Sequence, residues 1–597
     1  MTRPTPHQLT PYAVILTAAL LATLPLLLYG PSCGHDLPFH MLNWMDAAHQ
    51  WRTGTLRPWW CAPAAWNAGE PRFLFYPPVS WVFGALLTLI LGATHAPVAY
   101  TFLALTASGI TMRRFLASYV TPPLALLGAC FYLAHPYLLF TATERTAYAE
   151  LLAAAWLPWL LHEALRERIN PSRLAIPVAL LWLTNTPSAV LGTYTLAVLL
   201  AIRTILAIRS AQPVLKPLLL PATLGYLWGI ALSALYLLPA LVQHNAVEVG
   251  QAFTSGMRPE DSTLFTHTGE PLHDHVVHQA SVLAVILLGT AVIAALIRLA
   301  GHRRAHRLHK MRDLILHRTH NPQLATLTPT FLTLTALTAF LLTPASLFLW
   351  HHLPELQFLQ FPWRTLMLQG IVTVTLIVLA VRTPLRTRWA VPIALLAVAA
   401  LSFTAHHSYA QFCDDEDAPS SLLAQYNRGA GFEPYDEYTP KDANNDLLHP
   451  NEPPAWTATG LNDPPPSSAA GIVFSPTEPI SPANRPHIQI DTTTVPNSPL
   501  IWVQPTPTDH FLILRQHRFP NRPFLLDNRE LTDQYFRDDG LIAVPLPNTG
   551  RHMVYIVYEQ GPDVYAGLLI SGIAALALAV ALRNHRYRTR YAPEQLR

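Results

Sequence analysis

Long apolar runs alternate with short polar, basic segments over most of this chain, and a run of about 20 such residues is enough to cross a bilayer core. The first run, Tyr12 to Gly30, follows a short basic N-terminus and lacks a small-residue cleavage site. It therefore reads as a retained, outward-going helix and not a signal peptide. Further spans are expected over Pro97 to Met112, Pro123 to Phe140, Leu151 to Leu165, Leu174 to Thr186, Ala189 to Leu206 and Pro217 to Leu241. Ser281 to Leu299, Leu324 to Thr343, Leu366 to Val381, Ala390 to Thr404 and Tyr565 to Leu582 complete the set. Val79 to Gly92 is short and interrupted. As a full span it would place Arg113-Arg114 outside, so it reads as a re-entrant or juxtamembrane helix. That gives about twelve spans.

Orientation follows from the basic residues, because segments rich in Lys and Arg stay in the cytoplasm. Arg113 and Arg114, then Arg166, Arg168 and Arg173, then Arg203, Arg209 and Lys216 fall on one side. Arg303, Arg304, Arg307, Lys310, Arg312 and Arg318 join them, as do Arg382, Arg386, Arg388 and the tail from Arg583. Both termini are then cytoplasmic, and residues 31–96, 141–150, 242–280 and 344–365 form outer loops of a module covering 1–405.

Residues 406–562 carry a different pattern. The first half is rich in Pro, Asp, Asn and Ser and reads as irregular covering loop. The second half holds short β-branched or alternating segments: Ile488–Ile490, Leu500–Val503, Phe511–Leu514, Leu541–Val544 and His552–Tyr558, separated by turn signals such as Asp539-Gly540. Such spacing predicts an extracytoplasmic β-sandwich-like domain. Residues 563–597 return through a last helix to the basic tail. The fold class is thus a mainly α polytopic membrane protein with one outer β domain.

Composition agrees with the pattern. Of 597 residues 51% are hydrophobic and 13% charged, against about 25% charged in soluble domains. The net charge of +3 sits in topological blocks, which gives no case for nucleic acid. Of four cysteines, Cys33, Cys61 and Cys413 fall outside. A Cys33–Cys61 bridge is one way to staple the first loop and would leave one thiol unpaired, while Cys130 lies in a span. His273, Asp274, His275 and His278 form the one histidine cluster, and a solvated polar loop is the plainer account of it than a zinc site.

Candidate chemistry gathers at the outer membrane face, where charge is costly and often functional. Asp36 stands between His35 and His40 just after the first helix, with Asp46 and Glu70 further along the same loop. Glu144, Arg145 and Glu150 share the second outer loop, and Arg364 follows Trp363 at the outer start of a span. Acids and arginines from three loops suit an anionic lipid head group, with a carboxylate as base and arginine on the phosphate.

These residues carry a resemblance. Phe75-Tyr76-Pro77-Pro78, Glu144-Arg145-Thr146-Ala147-Tyr148-Ala149-Glu150, Thr184-Asn185-Thr186-Pro187, Phe361-Pro362-Trp363-Arg364 and Glu437-Tyr438-Thr439-Pro440, in that order, are similar to segments of bacterial membrane proteins. The group is labelled pyruvoyl-tetrahydropterin-synthase-related, or YfhO-like, and the chain resembles the GT-C superfamily of membrane glycosyltransferases. No pterin chemistry is visible. The resemblance implies sugar transfer from a polyprenyl-phosphate-linked donor to a glycan, lipid or protein acceptor outside a bacterial cytoplasmic membrane, with inversion. It implies catalytic roles for Asp36, as general base, and Glu144, and phosphate contacts from Arg145 and Arg364. His35, His40, Asp46, Glu70, Tyr76, Glu150, Asn185, Trp363, Glu437 and Tyr438 are possible substrate-binding residues. No cofactor is expected, although Asp36 and Glu144 are a potential divalent-metal pair. The resemblance predicts Gly after Arg145, where Thr146 stands. A lipid or glycolipid flippase and a non-catalytic membrane scaffold are the alternatives.

Overall fold

The computed structural model describes residues 6–210, 213–309, 322–381, 385–466, 472–474, 487–491, 500–520, 522–531, 535–557 and 560–591. Lys310, Arg312 and Arg318 of the basic loop, Arg382 and residues 592–597 of the tail lie outside them. Eight described helices are long and apolar enough to cross a membrane, or nine if the pair Thr326–Leu341 and Pro344–His352, bent by 96°, forms one span. About twelve were expected, and the difference has local causes. The Leu151–Leu165 run is split into Tyr148–Ala153 and Trp156–Ala164, and Pro171–Thr184 has only 14 residues. Ala96–Leu116 has 21 residues, but Thr101, Thr106, Ser108, Thr111 and the Arg pair dilute its apolar character. Pro78–Leu91, with 14 residues, reaches about 21 Å, short of the bilayer core.

The turn between Pro171–Thr184 and Thr186–Arg209 is made by Asn185. Its Oδ1 accepts from the Ser188 N–H (3.0 Å) and Ser188 hydroxyl (2.7 Å), capping the second helix, whose Pro187 suits the first turn. Pro271–His309 runs 39 residues without a break. It absorbs into its first turns the histidine cluster expected in a loop.

At one end of the helical module the loops clamp one another. Cys33 is bonded to Cys413, and not to Cys61 as one expectation had it; Cys61 is a buried free thiol. The reason is helix neighbourhood: Pro6–Tyr29 packs against Thr387–Tyr409, so their outer exits, each followed within a few residues by a cysteine, emerge side by side. Gly34 lies so close to the second loop that a Cβ there would stand 2.3 Å from the Glu144 carbonyl oxygen. Only glycine permits that approach.

After the helix Pro419–Arg428, the described residues form ten strands: β1 Ala455–Ala458, β2 Ile472–Phe474, β3 Ile488–Asp491, β4 Leu500–Val503, β5 Phe511–His517, β6 Phe524–Leu526, β7 Arg529–Glu530, β8 Tyr535–Phe536, β9 Leu541–Pro545 and β10 His552–Ile556. They form one sheet in the order β1-β5-β9-β8 and another in the order β2-β3-β4-β10-β6-β7. Alternate residues of both sheets, among them Leu512, Leu514, Val544, Ile488, Ile490, Ile501, Val503 and Val554, share one apolar cluster. The opposite face of the first sheet, with Trp456, Ile513 and Ala543, packs on Ala65 and Ala68 of the first outer loop. His517 fastens that seam, its N–H donating to the Ala68 carbonyl (2.7 Å) and its Nδ1 lying 2.9 Å from the Gly69 oxygen. The β domain is therefore seated on the loop that carries Asp36.

Candidate functional site

Asp36 is the N-cap of the helix Leu37–Arg52, but its side chain makes no capping bond. Its amide donates to the Arg145 carbonyl (3.0 Å), which fixes the first loop against the second. The carboxylate, 38% exposed, has one close ionic neighbour among the described residues, the Arg145 guanidinium at 3.7 Å. Arg145 in turn donates to Glu150 (2.6 Å), and Arg364 reaches the same Glu150 oxygen at 3.2 Å. The Tyr137 hydroxyl donates to the other oxygen at 2.6 Å. One buried carboxylate thus holds two guanidiniums together. Burial alone would push Glu150 up, but Arg145 and Arg364, with hydrogen bonds from Tyr137 and Arg145, more than offset it and hold the carboxyl below its usual range.

Arg364 is aimed by its own turn. Its Nη1 donates to the Leu359 carbonyl (3.0 Å) and to Gln360 Oε1 (2.9 Å), and the guanidinium lies 4.8 Å from the Phe361 ring centre. Phe361 stacks on the buried Trp363 at 4.6 Å. Arg145 faces the same Phe361 ring at 5.8 Å. Nη2 of Arg364 makes no hydrogen bond among the described residues, so one donor edge remains to face a ligand.

Across from the arginines stands an aromatic wall. Phe39, one turn after Asp36, has ring centres of Tyr76, Tyr435 and Tyr438 at 4.9, 4.8 and 5.8 Å. The buried pair Glu70–Arg72 (2.5 Å) backs it, with Arg72 over Phe39 and Tyr435, and the Tyr435 amide donating to Glu70 (3.0 Å). Backbone bonds from Glu248 to Thr439 and from Lys441 to Ala246 hold this strap down from the other side. Glu437 lies within electrostatic reach of Asp36 and Arg364, as does Tyr76. Burial, opposed by a hydrogen bond from Tyr438 and reinforced by Asp36, pushes the Glu437 carboxyl up. His40, beside Tyr76 and Tyr148, is pushed down to about 4, chiefly by burial, and is neutral at pH 7.

No family model matches this chain, and no curated protein does. Two solved structures are similar to it. Both are of the arabinofuranosyltransferase AftD from Mycobacteria. One aligns over 68% of this chain and 27% of that chain, at 16% identity and a TM-score of 0.39. The other, a mutant of AftD, aligns over 72% and 30%, at 15% identity and the same TM-score. The chain therefore spans less than a third of the length of either, and overlap of this extent does not establish a shared fold.

The remaining candidates occupy other places. Glu144 has Gln411, Gln279, His35 and His275 as its electrostatic neighbours, and its buried Oε2 has no hydrogen-bond partner among the described residues; burial, opposed by Gln411, raises its carboxyl. Asp36 and Glu144 thus face different partners. Asn185 is spent on its cap, and His35 is exposed. His273 points to the Asp261 carbonyl, Asp274 to His267 and Thr268, and His275 to Gln279, so the histidine cluster diverges. Among the described residues, one trio of metal-type donors lies close together, Cys33, Cys413 and Asp417, and its two sulfurs are joined to each other. Tyr137, Phe39, Arg72, Tyr435 and Phe361 were missed in the sequence. Phe361 lies within a motif already singled out, Phe39 adjoins His40, and Tyr435 stands two residues before Glu437, so these three carried a signal.

Two predictions arise here. Asp46 accepts from Gln50 (2.8 Å) and the Tyr426 hydroxyl (3.3 Å), yet burial, against those bonds, pushes it up to about 7. A raised carboxyl stabilises the fold fully below its unfolded value near 3.8, and the contribution is lost as pH rises through about 7. Asp46→Asn is expected to flatten the fall in thermal stability between those limits; an unchanged pH profile would sink the account. Thr146 is fully buried with φ +49°, a backbone that disfavours a β-branched residue, and its hydroxyl bonds the Arg145 carbonyl at 2.7 Å. This is the position where glycine was predicted. Thr146→Gly trades strain of about 1–3 kcal/mol against a lost hydrogen bond and glycine entropy. Stability is expected to stay level or rise by up to about 1 kcal/mol; a clear fall in unfolding temperature would contradict the strain.

Proposed function

We propose that the chain is a membrane glycosyltransferase of GT-C type, moving a sugar from a polyprenyl-phosphate-linked donor to an acceptor at the outer face of a bacterial cytoplasmic membrane. The observation that carries this reading is a partly exposed carboxylate without a hydrogen-bond partner among the described residues, Asp36, set 3.7 Å from one of two guanidiniums that a buried glutamate holds side by side. A base and a phosphate clamp are what the transfer needs.

In this reading Asp36 takes the proton of the acceptor hydroxyl as its oxygen bonds to the anomeric carbon. The bond from that carbon to the phosphate oxygen breaks, its electron pair leaving on polyprenyl phosphate. Arg145 and Arg364 neutralise that charge, with Glu150 keeping both in register. Attack opposite the leaving group inverts the anomeric carbon. The wall of Phe39, Tyr76, Tyr435 and Tyr438, with Glu437, suits a sugar ring and its hydroxyls. The β domain, fixed to the first loop, would hold the acceptor. Donor lipid, acceptor and membrane are the partners; a divalent ion is not part of the proposal. The test is release of polyprenyl phosphate from radiolabelled lipid-linked sugars by purified protein, comparing wild type with Asp36→Asn at matched amounts. Equal turnover in both would remove Asp36 from the chemistry.

A further inference from the structure

The arrangement at Glu150 recurs in the second helix of the same split run. Glu163 lies thirteen residues beyond Glu150, in Trp156–Ala164, among basic residues expected on the cytoplasmic side. It is fully buried, and neither of its oxygens has a hydrogen-bond partner among the described residues. Arg114 stands 3.5 Å from one oxygen and Arg166 3.8 Å from the other, with His162 at 3.9 Å. Neither guanidinium makes a hydrogen bond among the described residues, and both are open to solvent, at 53% and 39%. Arg114 also lies over the Trp159 ring (5.6 Å), whose buried indole N–H has no acceptor.

Arg203 closes the rim by donating to the Ala164, Arg166 and Glu167 carbonyls, which caps the helix Trp156–Ala164. The cluster keeps a positive balance, with Arg168 and Arg173 close in sequence and Glu167 the one further acid of the turn. A buried carboxylate is costly unless it orders charged partners. Here it holds two arginines at a spacing that leaves their outer N–H edges unspent, with an indole N–H beside them.

We infer that this end of the bundle is a second anion site, built for the phosphate of an anionic phospholipid head group. Guanidinium edges pair with phosphate oxygens bidentately, and tryptophan beside arginine suits a membrane interface. The lipid source is favoured over free phosphate because the cluster terminates membrane helices and the cytoplasmic leaflet is anionic. The site is independent of the proposed transferase activity.

The test uses the full chain in phosphatidylcholine nanodiscs, titrated with phosphatidylglycerol and read by native mass spectrometry of retained lipid. Arg114→Ala/Arg166→Ala is expected to bind phosphatidylglycerol about thirtyfold more weakly, because both guanidinium edges that would pair with the phosphate are lost. The charge-matched control Arg209→Ala/Lys216→Ala, on exposed positions elsewhere, is expected to change it little. Unfolding temperatures in phosphatidylcholine alone show that both variants fold. Competition by inorganic phosphate would assign recognition to phosphate itself, and its failure to the lipid-borne diester; both sustain the site. Equal weakening in the two double variants, or none in the first, overturns it.

Discussion

Asp36→Asn is expected to lower turnover of a polyprenyl-phosphate-linked sugar by about 10²–10⁴-fold, the usual contribution of a general base, with folding stability changed by less than about 0.5 kcal/mol. The separation of the two effects follows from geometry. The side chain makes no capping bond, and Asn serves as well as Asp at an N-cap. The contact to Arg145 is long and partly solvated, so its loss costs little. The amide bond to the Arg145 carbonyl belongs to the backbone and survives. What disappears is the carboxylate that, among the described residues, pairs with Arg145 from the solvent side. Asp36→Glu should recover part of the rate, since the base returns but displaced by one methylene. Measured together, a rate loss without an unfolding shift supports a chemical role; a parallel loss of both points to structure.

Glu150→Gln is expected to destabilise the protein by about 3–5 kcal/mol, the cost of leaving a buried charge unpaired, and to abolish turnover at the temperatures where the wild type is active. Glu150 is 2% exposed and faces the guanidiniums of Arg145 and Arg364, 6% and 11% exposed. With glutamine there, Arg145 keeps Asp36, Arg364 keeps Leu359 and Gln360, and the two positive charges confront each other across a neutral amide. Pairing the change with Arg364→Met should recover part of the stability, because the repulsion is removed; that non-additivity is the signature of one shared site. The readout is thermal unfolding of the four proteins in one detergent. A Glu150→Gln cost under about 1 kcal/mol, within the range of surface ion pairs, would show that the carboxylate does not hold the arginines together.

The charged residues singled out in the sequence meet in partnerships that local pattern does not show. Asp36, Arg145 and Arg364 were legible as charges next to apolar runs, and they meet. Glu150 was legible only as one possible contact among many, because nothing local marks it as the hub. Its importance depends on Tyr137 and Arg364, which lie 13 and 214 positions away along the chain and are brought in by helix packing. Glu144, one residue before Arg145, faces Gln411 and Gln279 instead, since neighbouring side chains on a turn diverge. Thr146 shows the opposite case: a departure from the predicted glycine becomes intelligible once its φ of +49° is known.

By itself the sequence determined an apolar, mainly helical module, five main strands in the segment ahead of the last helix, and charged residues beside apolar runs. Period, apolar length and charge are local quantities, so they can be read in order along the chain. Only the tertiary structure decided that Cys33 pairs with Cys413, that the strap holding Tyr435, Glu437 and Tyr438 lies over the first loop, and that one buried glutamate binds two arginines. Each of those depends on which helix exits emerge together and which backbones a glycine lets touch. These are long-range packing outcomes, set by the summed burial of many side chains and written in no single stretch of sequence.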